Sequence, residues 1–197
     1  MPKNTDVRVG APDQKVTGAI KHAPVGTALP DLTDITKAAV TLNTAFTGDE
    51  YVSEDGLTLS PSRSTTEIKD WSGSTVRKVL ESFDGTLSWT MISTNEGALS
   101  IAFGADHVTT AAATTAHGAQ VKAALGAYLP EAQAWVFLMK DGDARIVIAV
   151  PDGQITEVGE VTFASNAAVG WNVTLSCYPD AAGNSIYIMT DDGVVTA

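Results

Sequence analysis

Cysteine is nearly absent from this chain. Cys177 is the single one among 197 residues, so no internal disulfide can form, and its place in the run Trp171 to Tyr178 assigns it to a core. Basic residues are scarce too: 12 Lys and Arg stand against 23 Asp and Glu, a formal net charge of -11. That balance argues against a general affinity for DNA or anionic lipid. Residues 86–197 hold 11 of the acidic side chains and only 3 of the basic ones, so the second half carries most of the field. No stretch approaches the ~18 apolar residues of a membrane helix, and Met1 to Gly26 lacks the apolar centre of a secretory signal. The chain is expected to stay soluble.

Chemical motifs are equally thin. The three histidines, His22, His107 and His117, have no His or Cys neighbour at a metal-ligand spacing and read as surface residues. Asp141-Gly142-Asp143 lacks the further ligands of a calcium loop and reads as a turn. Neither Gly-x-Ser-x-Gly nor Gly-x-x-x-x-Gly-Lys occurs, and no His lies near Cys177 in sequence. Asp49-Glu50, Glu54-Asp55 and Asp191-Asp192 sit in turn-like contexts where solvation explains them. No catalytic, cofactor-binding or metal-binding residue is therefore expected, and the chain does not read as an enzyme.

The length suits one β-rich domain. Residues 1–34 read as an extended arm, punctuated by Pro2, Pro12, Pro24 and Pro30 and loosened by Gly10, Gly18 and Gly26. Such an arm is either a disordered tail or a strap over a neighbouring copy. Asp34 then leads into Ile35 to Phe46, a short helix or an extended connector, and residues 35–197 form the domain.

Two strands alternate cleanly. Phe83, Gly85, Leu87, Trp89 and Met91 oppose Asp84, Thr86, Ser88 and Thr90; Trp171, Val173, Leu175 and Cys177 oppose Asn172, Thr174, Ser176 and Tyr178. Each has one apolar face and one small, wettable face. Ala134 to Val150 differs, being apolar on both faces around a hairpin turn at Asp141-Gly142-Asp143, so it must be covered on two sides. Further strands are expected at Ile155 to Phe163 and Ser185 to Thr190. One helix is expected from Ser93 to Phe103, with Ser93 and Glu96 as a capping box and Gly104 as the stop. The spacing of Val121, Leu125 and Leu129 makes Thr114 to Leu129 a second helix candidate.

At Tyr51-Val52-Ser53-Glu54-Asp55-Gly56-Leu57, then Glu67-Ile68-Lys69-Asp70-Trp71, then the strand from Thr75 to Met91 into Thr94-Asn95-Glu96, the chain resembles the major tail tube proteins of long-tailed, siphovirus-type bacteriophages. Pro151 to Phe163, Val173-Thr174-Leu175 and Tyr178-Pro179-Asp180 continue the resemblance, which covers residues 51–192 in order. It implies a mainly β subunit, a sandwich or barrel flanked by one short helix, that assembles as stacked hexameric rings and closes a multi-subunit β-barrel around a DNA channel. The implied partners are further copies and the other tail proteins at the tube ends. DNA passes without specific binding, no cofactor or membrane segment is involved, and the protein resides in the virion tail after assembly in the host cytoplasm. No C-terminal immunoglobulin-like domain is expected.

Within that frame residues 51–74 read as a long loop or hairpin bridging subunits, with Tyr51, Asp55, Gly56, Leu57, Thr66 and Trp71 as its assembly residues. Asp84, Thr86, Ser88, Thr174 and Ser176 suit a wetted wall and are the expected lumen-facing residues. The competing reading is a soluble carbohydrate- or protein-binding β-sandwich of adhesin or fibre type, with Trp71, Trp135 and Tyr187 lining a groove. A small enzyme would need a convergent acid, base or metal cluster that the sequence does not display.

Overall fold

The computed structural model describes residues 7–13, 18–48 and 50–195. Its strands are β1 (Ile20–Pro24), β2 (Val52–Lys69), β3 (Thr75–Met91), β4 (Val108–Ala111), β5 (Gln120–Ala123), β6 (Gln133–Asp141), β7 (Ala144–Val158), β8 (Trp171–Tyr178) and β9 (Tyr187–Asp191), with one helix, α1 (Glu96–Phe103). The architecture is mainly β, as expected. Seven strands form one antiparallel sheet in the order β1-β6-β7-β8-β3-β2, with β9 also on β7, while β4 and β5 pair separately.

The alternation in β3 and β8 does what its period predicts. Leu87, Trp89 and Met91 bury beside Val173, Leu175 and Cys177, packed with Trp135 and Phe137 of β6 and Leu99 and Ile101 of α1. Trp89 meets Trp135 at 5.6 Å and Phe137 edge-on at 5.4 Å. The two-sided apolar run 134–150 is covered on both faces by the chain itself. Trp135, Phe137, Ile148 and Val150 join the main core. Ala134, Val136, Leu138, Val147 and Ala149 join a second one, capped by Ile35 and Phe46 with Leu29, Val40 and Leu42. The connector 35–46 is thus irregular chain serving as a lid, and the helix alternative does not form.

Strand β7 changes partners along its length. Its first half pairs with β6 on one side and β9 on the other; from Asp152 to Val158 it pairs with β8. Pro151 lies between Ala149, the last β9 partner, and Asp152, the first β8 partner. The β6 register shifts there too, so the missing N–H of Pro151 costs no ladder bond. At the other end the hairpin turn forms with Gly142 at φ +60°, and Asp141 pairs with Ala144.

Four expectations need correction. Part of the arm is in the sheet: Ile20–Pro24 pairs with Gln133 to Phe137, and Ile20 and Ala23 are buried. Pro24 is tolerated because it ends an edge strand; residues 1–6 and 14–17 lie outside the described residues. The helix α1 begins later than expected, with Asn95 as N-cap accepting from Ala98 N at 2.9 Å, because Ser93 Oγ is engaged by Tyr51 N at 3.0 Å. Asn95→Ala is expected to cost about 1 kcal/mol in urea unfolding. No helix forms over 114–129: Val121, Leu125 and Leu129 are all exposed, and a short helix without a buried face is not held. The strand expected at 155–163 is the end of β7 and stops at Val158.

Candidate assembly hairpin and channel face

The hairpin β2–β3 is longer than any core requires. From Ser60 to Asp84 every residue is exposed, and burial begins only at Gly85 and Leu87. Its register runs from Leu59↔Leu87 through Ser62↔Asp84 and Arg63↔Phe83 to Ile68↔Arg77, so about half of each strand stands clear of the sheet. The tip is tightly specified. Asp70 Oδ1 accepts from Ser72 N at 2.9 Å and Ser74 N at 2.9 Å, and Gly73 takes φ +85°. The Ser72 hydroxyl and these backbone amides hold the Asp70 carboxyl below its ordinary range. That turn presents Trp71 fully to solvent, and Ile68, Val76 and Leu80 are each at least half exposed. The projection thus carries a cluster of exposed apolar side chains, the kind of patch at which contact surfaces are sought.

The polar residues of β3 and β8 fall on a single face. Thr86 pairs with Ser176, Ser88 with Thr174 and Thr90 with Asn172. On the outer side of β3, Thr58, Ser60 and Ser62 of β2 pair with Ser88, Thr86 and Asp84. Across β8, Gln154 pairs with Ser176 and Glu157 with Thr174, and the hydroxyls of Thr156 and Ser176 lie 2.8 Å apart. The result is a four-stranded wall of β2, β3, β8 and the second half of β7, tiled with small hydroxyl side chains. Its charged residues include Asp84, Asp152 and Glu157; none of the named wall positions is Lys or Arg. Among the described residues no strand pairs with either margin: β2 is the end of the strand order, and β6 pairs with β7 only as far as Gly153.

The other expected site residues divide. Tyr51, Asp55, Gly56 and Leu57 lie at or near the start of β2, roughly 40–60 Å of extended strand from Lys69, so they do not converge with Trp71. Thr66 sits on the projecting half and hydrogen-bonds Glu81. Trp71, Trp135 and Tyr187 form no common groove: Trp135 is 2% exposed in the core, its Nε1 donating to Gly153 O at 3.1 Å. Tyr187 donates to Asp180 within its own turn, which lowers the carboxyl pKa and raises that of the phenol. His22 lies against Trp135 at 5.2 Å, and burial lowers its pKa; it is not the surface residue the sequence implied. His107 stacks on Tyr128 at 3.5 Å. Among the described residues no group of three His, Cys, Asp or Glu is placed to hold a metal, and no helix is long and apolar enough to cross a membrane. Sequence reasoning missed Thr58, Ser60, Ser62, Gln154 and Thr156 on the wall; only the register, which depends on which strands pair, brings them there.

The arrangement defines a β-structured building block with open sheet margins and a projecting hairpin. Residues 3–197 match the family described as phage tail tube protein, and the chain belongs to that family: it is a structural component of the phage virion tail, not an enzyme. No curated protein matches the chain. Among solved structures it is similar to a chain in a cryo-EM structure of the anti-feeding prophage cap, a tube-terminating cap, at TM-score 0.46 and 13% identity over 94% of each chain. It is also similar to a chain in the virion of a native gene transfer agent particle, at TM-score 0.39 and 11% identity over 75% of this chain and 92% of that one.

Proposed function

We propose that copies of this chain close into hexameric rings that stack as the tail tube, with the four-stranded hydroxyl wall facing the lumen through which the genome is ejected. The observation that carries the reading is the wall itself, small in side chain and, among the described residues, unpaired along both margins. Each copy would offer the outer edge of β2 to the Thr156–Val158 edge of its neighbour, satisfying backbone groups that would otherwise stay unpaired and removing the sheet edges. Asp84 and Glu157 then face the phosphates. Their sign disfavours the counterion release that would make DNA bind, and at physiological salt the field reaches about 8 Å, enough to act on DNA that nearly fills a bore. The hairpin tip and other tail proteins at the tube ends supply the axial contacts.

The test is a helical reconstruction of polymer grown from concentrated protein. Hollow tubes with six copies per ring and Thr86, Ser88, Thr174 and Ser176 on the inner wall are expected. A polymer with this face outward, or protein that never builds hollow tubes, overturns the reading. The adhesin alternative has no observation in its favour, since its three aromatics do not meet.

A further inference from the structure

The start of β2 lines a groove of about 740 Å³ bounded by residues 9–13, the beginning of β1 and the end of β6. Val9, Leu57 and Met139 give it apolar walls, Tyr51 stands exposed at its rim, and Glu50 and Glu54 give it negative charge. Glu50 is the unusual member. It is 9% exposed, its Oε1 is seated against Gly97 in the first turn of α1, where a side chain of any size would collide with it, and its Oε2 is buried with no hydrogen-bond partner among the described residues. A buried carboxylate oxygen in that state calls for a donor that none of the described residues supplies.

The hairpin tip has the matching chemistry. Lys69, Arg77 and Lys78 are three of the chain's 12 basic residues, beside the exposed Ile68, Trp71 and Val76, and they outnumber the two carboxylates of the tip, Glu67 and Asp70. Lys69 and Lys78 already have Glu67 nearby, whereas Arg77 has no ion-pair partner among the described residues. Groove and tip lie at opposite ends of one continuous strand, β2. A projection at one end that fits a recess at the other makes a heterologous contact that repeats along an axis.

We propose that the groove at the start of β2 is the seat for the β2–β3 hairpin tip of another copy, with Trp71 against its apolar walls and the Lys69 and Arg77 charges beside Glu50 and Glu54. This rests on the tail-tube reading and adds the receiving site to it. Charge then favours tip in groove over groove against groove, which would bring Glu50 and Glu54 of two copies together.

Cross-linking tests it without background, since burial pushes the Cys177 thiol up to about 12 and leaves the native cysteine unreactive. A Ser74→Cys/Ser53→Cys variant, which keeps Trp71 and Tyr51 and places one thiol at the tip and one at the groove, is expected to give with a short bismaleimide a ladder of linked copies in polymer and none in dilute monomer. A Ser74→Cys/Leu32→Cys variant serves as control, because Leu32 lines a separate groove beside β9. Lys69→Glu/Arg77→Glu and Glu54→Lys/Asp55→Lys proteins, all at exposed positions, should each lose at least about tenfold in sedimentable polymer, and an equal mixture should recover it, because each then meets an opposite partner. Wild-type protein that never polymerises overturns both this proposal and the tube reading. Tubes that link through Leu32, or a mixture that stays monomeric while wild type assembles, overturn this proposal and leave the tube reading standing.

Discussion

Replacing residues 63–83 with Asn-Gly, so that Ser62 joins Asp84 across a two-residue turn, is expected to abolish tube formation while leaving a folded subunit. Ser62 and Asp84 are register partners, and Asn-Gly supplies the turn whose twist matches an antiparallel pair. What is removed is exposed on both faces. The losses to the subunit are the Arg63 guanidinium over the Phe83 ring at 5.6 Å, worth about 0.5–1 kcal/mol at an exposed site, and surface ion pairs such as Lys78–Glu67 at 3.1 Å, whose median contribution is about 0–1 kcal/mol. Against this the excision takes away Ile68, Trp71, Val76, Val79 and Leu80, the exposed apolar surface of the projection. Thermal unfolding should therefore move by only a few degrees, while negative-stain images show no tubes at concentrations where the parent protein forms them. Tubes of ordinary length from the shortened chain would remove the hairpin from the assembly contact.

The parts of this fold that are legible in the sequence are those whose burial is one-sided. β3 and β8 alternate because one face meets the core and the other meets water, and Gly104, at φ +86°, ends α1 because the chain must leave the helix with a positive φ. β1 is hidden because Ile-Lys-His-Ala-Pro has no strict period: Lys21 and His22 are also withdrawn from solvent, each for a local reason. Lys21 reaches Gly48 O, and His22 leans on Trp135. The spacing of Val121, Leu125 and Leu129 misleads because periodicity matters only where another element waits to cover it. Among the site residues, the faces of β3 and β8 are readable one at a time, but their union into one wall follows from strand order, which alternation does not encode. Glu50 is missed for a related reason, since as half of Asp49-Glu50 it looks like a solvated turn, whereas the fold sets it against Gly97 of α1.

Arg145 is the other charged residue whose environment contradicts its surroundings in sequence, standing in Ala-Arg-Ile-Val-Ile-Ala-Val at 1% side-chain exposure. Its Nη1 donates to Asp13, itself 2% exposed, its Nε to Thr36 O at 2.8 Å, and its Nη2 to Ala38 O at 2.8 Å. One guanidinium thus ties the N-terminal segment and the 36–38 loop to the start of β7. Removing one partner leaves a charge in a site from which water is excluded, and such losses run to about 3–5 kcal/mol. Arg145→Met and Asp13→Leu are each expected to lower unfolding free energy by about that amount in urea titrations. The double variant should recover most of it, because both charges leave together, and Thr36, Lys37 and Ala38 are exposed residues whose carbonyls water can serve. Additive losses in the double variant would show that the guanidinium acts mainly through the loop carbonyls. Asp13 borders the groove at the start of β2, and Val9 N is held there by Asp141 Oδ2 at 3.0 Å. Asp13 N also donates to Leu138 O at 3.2 Å and Lys140 N to Ala11 O at 2.7 Å, bonds that the substitution leaves in place, so polymer yield should follow the loss of folded subunit and no further.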